Sequence, residues 1–250
     1  FSIIRMRASV QTAIYFLLVT VCPEMHLLYA GNVAAIAFLF SIYFLFKSYQ
    51  QSQASGYLFY SFLFIGAGSL FFPQLTLFIP IFWIGAYSFQ ALTPKSFFGG
   101  LIGWTLPYWF LFGHAYFYGE IELFYQPFIE LVTFHPITLW NFPLWEIATL
   151  GYLFLLFIVS SVHCLVAGYE DKIRTRSYLH FLIFLTFCIF VYILLQPAQT
   201  FHLLPLLLIG VSILTGHFVV LTNSRASNVF FICALAGLIL LFGFNVWMLL

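Results

Sequence analysis

Charge is the first thing this sequence lacks. Asp, Glu, Lys and Arg make up only 6% of its 250 residues, against about 25% in an ordinary soluble domain. So few polar groups cannot cover a water-soluble fold of this size. Basic runs are missing too, which removes the electrostatic basis for binding nucleic acid, and no low-complexity tract or clear internal repeat stands out. The four cysteines, Cys22, Cys164, Cys188 and Cys233, contain no CxxC pair. That spacing argues against a disulfide framework or a thiolate metal site, and all four read as small packing residues. The start, Ser2-Ile3-Ile4-Arg5-Met6-Arg7, lacks the pattern of a cleavable leader. Because the numbering opens on Phe1, a longer natural chain is expected.

What remains is apolar. Hydrophobic residues make up 64%, with thirty-five Phe and fifteen Tyr, so the solvent for this chain is lipid. Gly, Pro and polar residues cut the sequence into runs near the roughly 17–25 residues a membrane span needs. The expected fold is a single all-α polytopic bundle over 1–250. Its spans are placed at 8–22, 27–46, 57–72, 74–92, 97–117, 144–168, 177–195, 201–221 and 228–249. The count is nine, with eight as the neighbouring alternative. The one long connection, 119–143, mixes acids and aromatics and ends between Trp140 and Trp145. It reads as an interfacial or partly re-entrant segment.

The few charges are distributed unevenly along this plan. Arg5, Arg7, Lys47, Lys95, Lys172, Arg174, Arg176 and Arg225 all fall on one side. The other side holds Glu24, Glu120, Glu122, Glu130 and Glu146, while Glu170 and Asp171 accompany the basic cluster. The positive-inside rule makes the basic loops cytoplasmic and puts the Leu250 end outside. A short pair of helices forming a re-entrant hairpin would leave that assignment intact, since the chain returns to the side it left.

The stretch 69–113, SLFFPQLTLFIPIFWIGAYSFQALTPKSFFGGLIGWTLPYWFLFG, and the run Asp171-Lys172-Ile173-Arg174-Thr175-Arg176 before an aromatic-rich helix carry a resemblance. Together they resemble a bacterial family of uncharacterised multi-pass inner-membrane proteins, a domain of unknown function. Some of its members bear a carotene-cleaving oxygenase label. The resemblance implies a Gram-negative inner membrane and one or two further helices upstream of Phe1. It supplies no established catalytic residues. The oxygenase label requires several His ligands on one iron, and no HxxxH or HxxE pair is present. That activity is therefore not expected, and neither is a metal or any other cofactor.

Candidate sites follow from depth. His26, His114, His135 and His202 fall in the outer layer with the glutamates, and His163, His180 and His217 in the inner layer. An outer polar site of His114, His135, His202 and Glu146 competes with plain interfacial histidines and solvated acids. Glu146, after Asn141, Pro143 and Trp145, also suits the positive end of a helix dipole. Lys172, Arg174 and Arg176 are candidates for a lipid-headgroup contact, or simply anchor the topology. Gly99 and Gly103 have GxxxG spacing for close helix packing, and Gly66 and Gly68 offer the same. Pro80, Pro107 and Pro205 interrupt their helices. No Asp, Glu, Lys or Arg lies at mid-span, which disfavours ion-coupled transport and chemistry inside the bilayer. The expected role is a non-enzymatic subunit or scaffold of a membrane complex in envelope biogenesis or secretion, with lipid and other membrane subunits as partners. Two alternatives stand beside it: a flippase-like carrier of an apolar or lipid-linked substrate, and an enzyme with an outer-face His/Glu site.

Overall fold

The computed structural model describes residues 8–22, 25, 29–51, 53–133, 143–166, 168, 171–221 and 225–249. Arg5, Arg7, Glu24, His26, His135, Trp140, Asn141, Glu170 and Leu250 lie outside the described residues. Among the described residues there are ten α-helices and no strand: α1 (Ala8–Thr20), α2 (Ala30–Lys47), α3 (Ala54–Ser69), α4 (Ile79–Ser88), α5 (Pro94–Tyr118), α6 (Glu122–Val132), α7 (Leu144–Val166), α8 (Ile173–Leu195), α9 (Thr200–Leu221) and α10 (Arg225–Leu249). Lipid offers backbone groups no hydrogen-bond partners, so an apolar chain of this kind closes its bonds within helices.

Among the described residues five stretches are long and apolar enough to cross a membrane: α2, α7, α8, the run Pro197–Val220 that contains most of α9, and Asn228–Met248 within α10. Nine are expected from the sequence, and the shortfall has physical causes. α1 has 13 residues and α3 has 16. α5 has the length, at 25 residues, but its Gly, Pro, Trp and Tyr residues make it less apolar. The expected helix over 74–92 is divided. Pro73 opens a 3-10 turn, Pro73–Phe78, and only the ten residues of α4 follow, with Pro80 in their first turn. Each proline removes an N–H donor, so both sit where a helix begins.

The chain divides into two compact units. One comprises Phe1–Leu28 with Ile137–Leu250, and the other Tyr29–Pro136.

In the second unit α3 lies between α2 and α5. Glycine lets the α3 and α5 backbones meet. A Cβ on Gly103 would run into the Phe59 carbonyl oxygen, and one on Gly66 into that of Trp104. A Cβ on Gly99 would lie 3.2 Å from the Ser55 oxygen. On the opposite face of α3, Ser61 Oγ donates to the Ser41 carbonyl of α2 at 2.8 Å. The α2–α3 and α4–α5 turns also join: Gln50 N–H reaches the Phe89 oxygen at 3.1 Å, and Gln50 Nε2 donates to Gln90 Oε1 at 3.2 Å. Thus α3, the 3-10 turn and α4 form a hairpin that returns to its own start. Its two flanking lysines, Lys47 at the end of α2 and Lys95 in the first turn of α5, lie beside those joined turns.

α5 is closed at both ends by local chemistry. Thr93 and Ser96 form a reciprocal capping box at its start. At its end Gly119 adopts φ 74°, and Glu120 N–H reaches back to the Ala115 oxygen at 2.9 Å, the closing bond of a Schellman turn. That turn releases the chain into α6, an 11-residue helix with Glu122 in its first turn. The segment expected over 119–143 is therefore helical over 122–132, and its part from 134 to 142 lies outside the described residues.

In the first unit α9 is the hub, with α1, α7 and α8 around it and α10 against α7. The span containing α9 is 83% buried and that of α10 only 6%, which fixes one as the centre and the other as the rim. At one end Asn245 of α10 donates to the Val21 carbonyl at 2.9 Å and to Thr149 Oγ1 of α7 at 3.1 Å.

The glycine contacts yield the first prediction. Gly103→Ala forces α5 off α3 and costs about 1–3 kcal/mol, in the range of overpacked cores. Gly113→Ala meets nothing within 4 Å and stays within about 0.5 kcal/mol of the parent. Thermal unfolding of both purified variants in detergent distinguishes these outcomes.

Candidate functional site

Among the described residues a dense polar arrangement lies where α7 ends, α8 begins and α9 ends. α7 closes on Ser160-Ser161-Val162-His163-Cys164, whose Ser160 and Cys164 are one helical turn apart and both buried. Ser160 Oγ donates to Thr215 Oγ1 of α9 at 3.2 Å. Two residues further along α9, His217 is 2% exposed, and both of its ring nitrogens are engaged. Nδ1 lies 3.6 Å from Cys164 Sγ, and Nε2 lies 3.1 Å from Asp171 Oδ2 in the α7–α8 connection. Cys164 is 3% exposed and the Asp171 side chain 8%.

The tautomer follows from the partners. An ionised carboxylate only accepts, so Nε2 carries the proton given to Asp171. In the neutral ring Nδ1 then presents its lone pair to the Cys164 thiol. Cys164, His217 and Asp171 thus form a line with the imidazole in the middle, the order of a nucleophile, its base and the group that orients the base. A metal needs its ligands converging, and here the thiol and the carboxylate sit on opposite nitrogens. Among the described residues no three His, Cys, Asp or Glu side chains group as metal ligands.

The start of α8 borders this line. Arg176 Nη2 donates to the Asp171 carbonyl oxygen at 3.5 Å, and its Nε is buried with no hydrogen-bond partner. Arg174 Nε donates to Tyr178 Oη at 2.6 Å, and its guanidinium stands 5.5 Å from that ring's centre. Lys172, just before the helix, is exposed. Of the three cations expected to meet a headgroup, Arg174 and Arg176 make contacts within the protein, while Lys172 and Arg174 are exposed.

The outer-layer candidates are placed individually. His114 is exposed near the end of α5, its ring 4.6 Å from that of Tyr118. Glu146 lies in the first turn of α7, where the helix dipole favours a carboxylate. His202 is in the first turn of α9 and half-buried. His114 belongs to one compact unit, and Glu146 and His202 to the other.

A second feature lies between α5 and α6. A cleft of about 440 Å³ is lined by Trp104, Thr105, Tyr108, Trp109 and Phe112 of α5 with Phe124 and Phe128 of α6. Edge contacts frame it: Phe112 to Phe124 at 5.2 Å and Phe124 to Phe128 at 5.4 Å between ring centres. Tyr108 Oη is tied back to Ser69 Oγ at 2.8 Å, so its wall presents ring surface.

No family model, curated protein or solved structure matches the chain. The geometry therefore carries the functional reading. Sequence reasoning missed the Cys164–His217–Asp171 line because the cysteines read as packing. The available signal was depth, since His217, His163 and Asp171 share the inner layer of the predicted topology.

The buried pair has a stability consequence. His217→Leu strands the Asp171 carboxylate and costs about 3–5 kcal/mol, whereas Asp171→Leu with His217→Leu recovers most of that loss. Denaturant unfolding in mixed micelles, run as a double-mutant cycle, measures the coupling.

Proposed function

We propose that this protein is a multi-pass membrane protein that binds an apolar or lipid-linked molecule, as a carrier does, at the α5–α6 cleft. The cleft carries the reading. Its volume of about 440 Å³ falls within the roughly 300–1,000 Å³ of small-molecule sites. Its lining is aromatic except for Thr105, whose hydroxyl is turned back onto the Leu101 and Ile102 carbonyls. Trp104 Nε1 is buried away from the cleft surface, so the lining offers a ligand ring faces and no polar atom. Trp109, 68% exposed, stands at the mouth.

The proposed setting is a bacterial inner membrane, crossed up to nine times, with the basic loops cytoplasmic and α6 lying in the outer interface. The one-sided cations support that orientation, as does the joining of the Lys47 and Lys95 turns by Gln50 and Gln90. Alkaline phosphatase fused after Gly119 is then active and fused after Lys95 is inactive. The reverse pattern overturns the orientation.

A second reading, a subunit or scaffold of an envelope complex, is favoured by α10. Ile232, Ile239, Leu240 and Trp247 are all at least 65% exposed on it, a surface suited to lipid or to another subunit.

Photocrosslinking with a diazirine-bearing lipid in native membranes tests the carrier reading. Label concentrates on the 94–132 region, and Trp109→Ala with Phe112→Ala reduces it about tenfold, the effect of losing some 1.5 kcal/mol of ring burial. Label spread evenly over α10 and α5 overturns it.

A further inference from the structure

We propose that Cys164, His217 and Asp171 form a nucleophilic thiol site that accepts an acyl group from a long-chain acyl thioester. This goes beyond the cleft reading and stands on the other compact unit, so either can fail alone.

Three observations carry it. The first is order: thiol, imidazole and carboxylate stand in line at 3.6 Å and 3.1 Å, with the free lone pair of the ring facing sulfur. A tie that served only to anchor the α7–α8 connection to α9 needs His217 and Asp171 but no thiol. The second is place. The line joins the ends of two helices apolar enough to cross a membrane, and Val162, Leu165 and Val166 beside Cys164 are each more than half exposed. An acyl chain finds apolar surface there. The third is charge. Lys172 is exposed, and Arg176 holds the Asp171 carbonyl while its buried Nε–H has no partner. These cations suit the phosphates of a thiol carrier such as coenzyme A.

The step balances without an oxidant or reductant. Cys164 gives its proton to His217 Nδ1 as Sγ attacks the thioester carbonyl, so a preformed thiolate is not required. The carbon–sulfur bond to the carrier breaks, and the leaving thiolate takes the proton back from the imidazolium. Asp171 offsets the transient ring charge through Nε2–H. The products are S-acyl Cys164 and the free carrier thiol. The other titratable groups described at this junction are His163 on α7 and Lys172, Arg174 and Arg176 at the start of α8. Because Cys164 is 3% exposed, attack requires the helix ends to part.

The test uses the purified full chain in nanodiscs with an alkyne-tagged C16 acyl-coenzyme A. Hydroxylamine-labile label is then mapped by mass spectrometry onto the four native cysteines. Label on Cys164 exceeds that on the exposed Cys233 about tenfold or more, vanishes in Cys164→Ser, and falls about a hundredfold in His217→Gln, the usual value of a general base. Label confined to Cys233, or unchanged by His217→Gln, overturns the proposal. A wild-type measurement guards against misfolding of that variant. The iodoacetamide rate at Cys164 levels off once the imidazole is neutral, a plateau that Cys233, with no histidine beside it in the line, does not share. Parallel profiles at the two cysteines overturn the proposal as well.

Discussion

Close approach of helix backbones is the constraint on which this structure depends. In lipid, apolar side chains gain little by leaving their solvent for one another, so the hydrophobic effect that folds a soluble core does not bring spans together. Association rests on dispersion between well-fitted surfaces and on a few polar contacts. Both appear where the sequence is small rather than where it is most apolar. Gly66 and Gly103 let α3 and α5 touch backbone to backbone, and the missing Cβ of Gly210 leaves room for the Thr186 side chain of α8 against α9. Large apolar side chains are left to face outward on α5, α7 and α10.

Polar contacts then do what a water-driven core would otherwise do, by fixing register. In the first unit they sit at the two ends of the bundle and, with Tyr152 Oη on the Ala234 carbonyl at 2.7 Å, along the α7–α10 seam. Asn245 joins α10 to α7 and to Val21 just past α1, and the His217–Asp171 pair joins α9 to the α7–α8 connection. In the second unit Ser41 with Ser61 holds α2 on α3, and Ser69 with Tyr108 holds α3 on α5. Interhelical bonds of this kind contribute about 0.6 kcal/mol each on average. Their value is in excluding rotations and slides that would leave a polar atom facing hydrocarbon.

The helical class, the positions of most helices and the small-residue spacing of Gly99 and Gly103 were legible because each depends on neighbours within about twenty residues. Span lengths were less so. Pro73 and Pro80 are visible in the sequence, yet whether prolines kink one helix or separate two is decided by what packs beside them. The Cys164–His217–Asp171 line was illegible for a different reason. Its members come from three segments, and His217 is 53 positions from Cys164, so no local spacing rule reaches them. Only the register of α7 against α9, set by Ser160 on Thr215 among others, brings them together. The aromatic cleft is similar: its rings are evident one by one, but the wall they form depends on the sharp turn at Gly119 that folds α6 back on α5.

An ionisable cluster in a chain so poor in charge calls for a reason beyond stability. Burying a carboxylate and an imidazole incurs a desolvation cost that their mutual attraction offsets only partly, and an apolar pair of similar volume holds helices together at least as well. Among the described residues the other buried positions are filled by apolar, glycine or hydroxyl side chains, with only the neutral amides Gln74, Gln196 and Asn245 besides. At one helix junction the sequence instead keeps a histidine with both nitrogens engaged, a carboxylate on one and a thiol on the other. Holding the connection in place accounts for the carboxylate and the ring. It leaves the thiol at Nδ1 unexplained, since an Ala or Val there would pack as well and a Ser would bond more strongly. Sulfur in that position is the choice that favours reaction over anchorage.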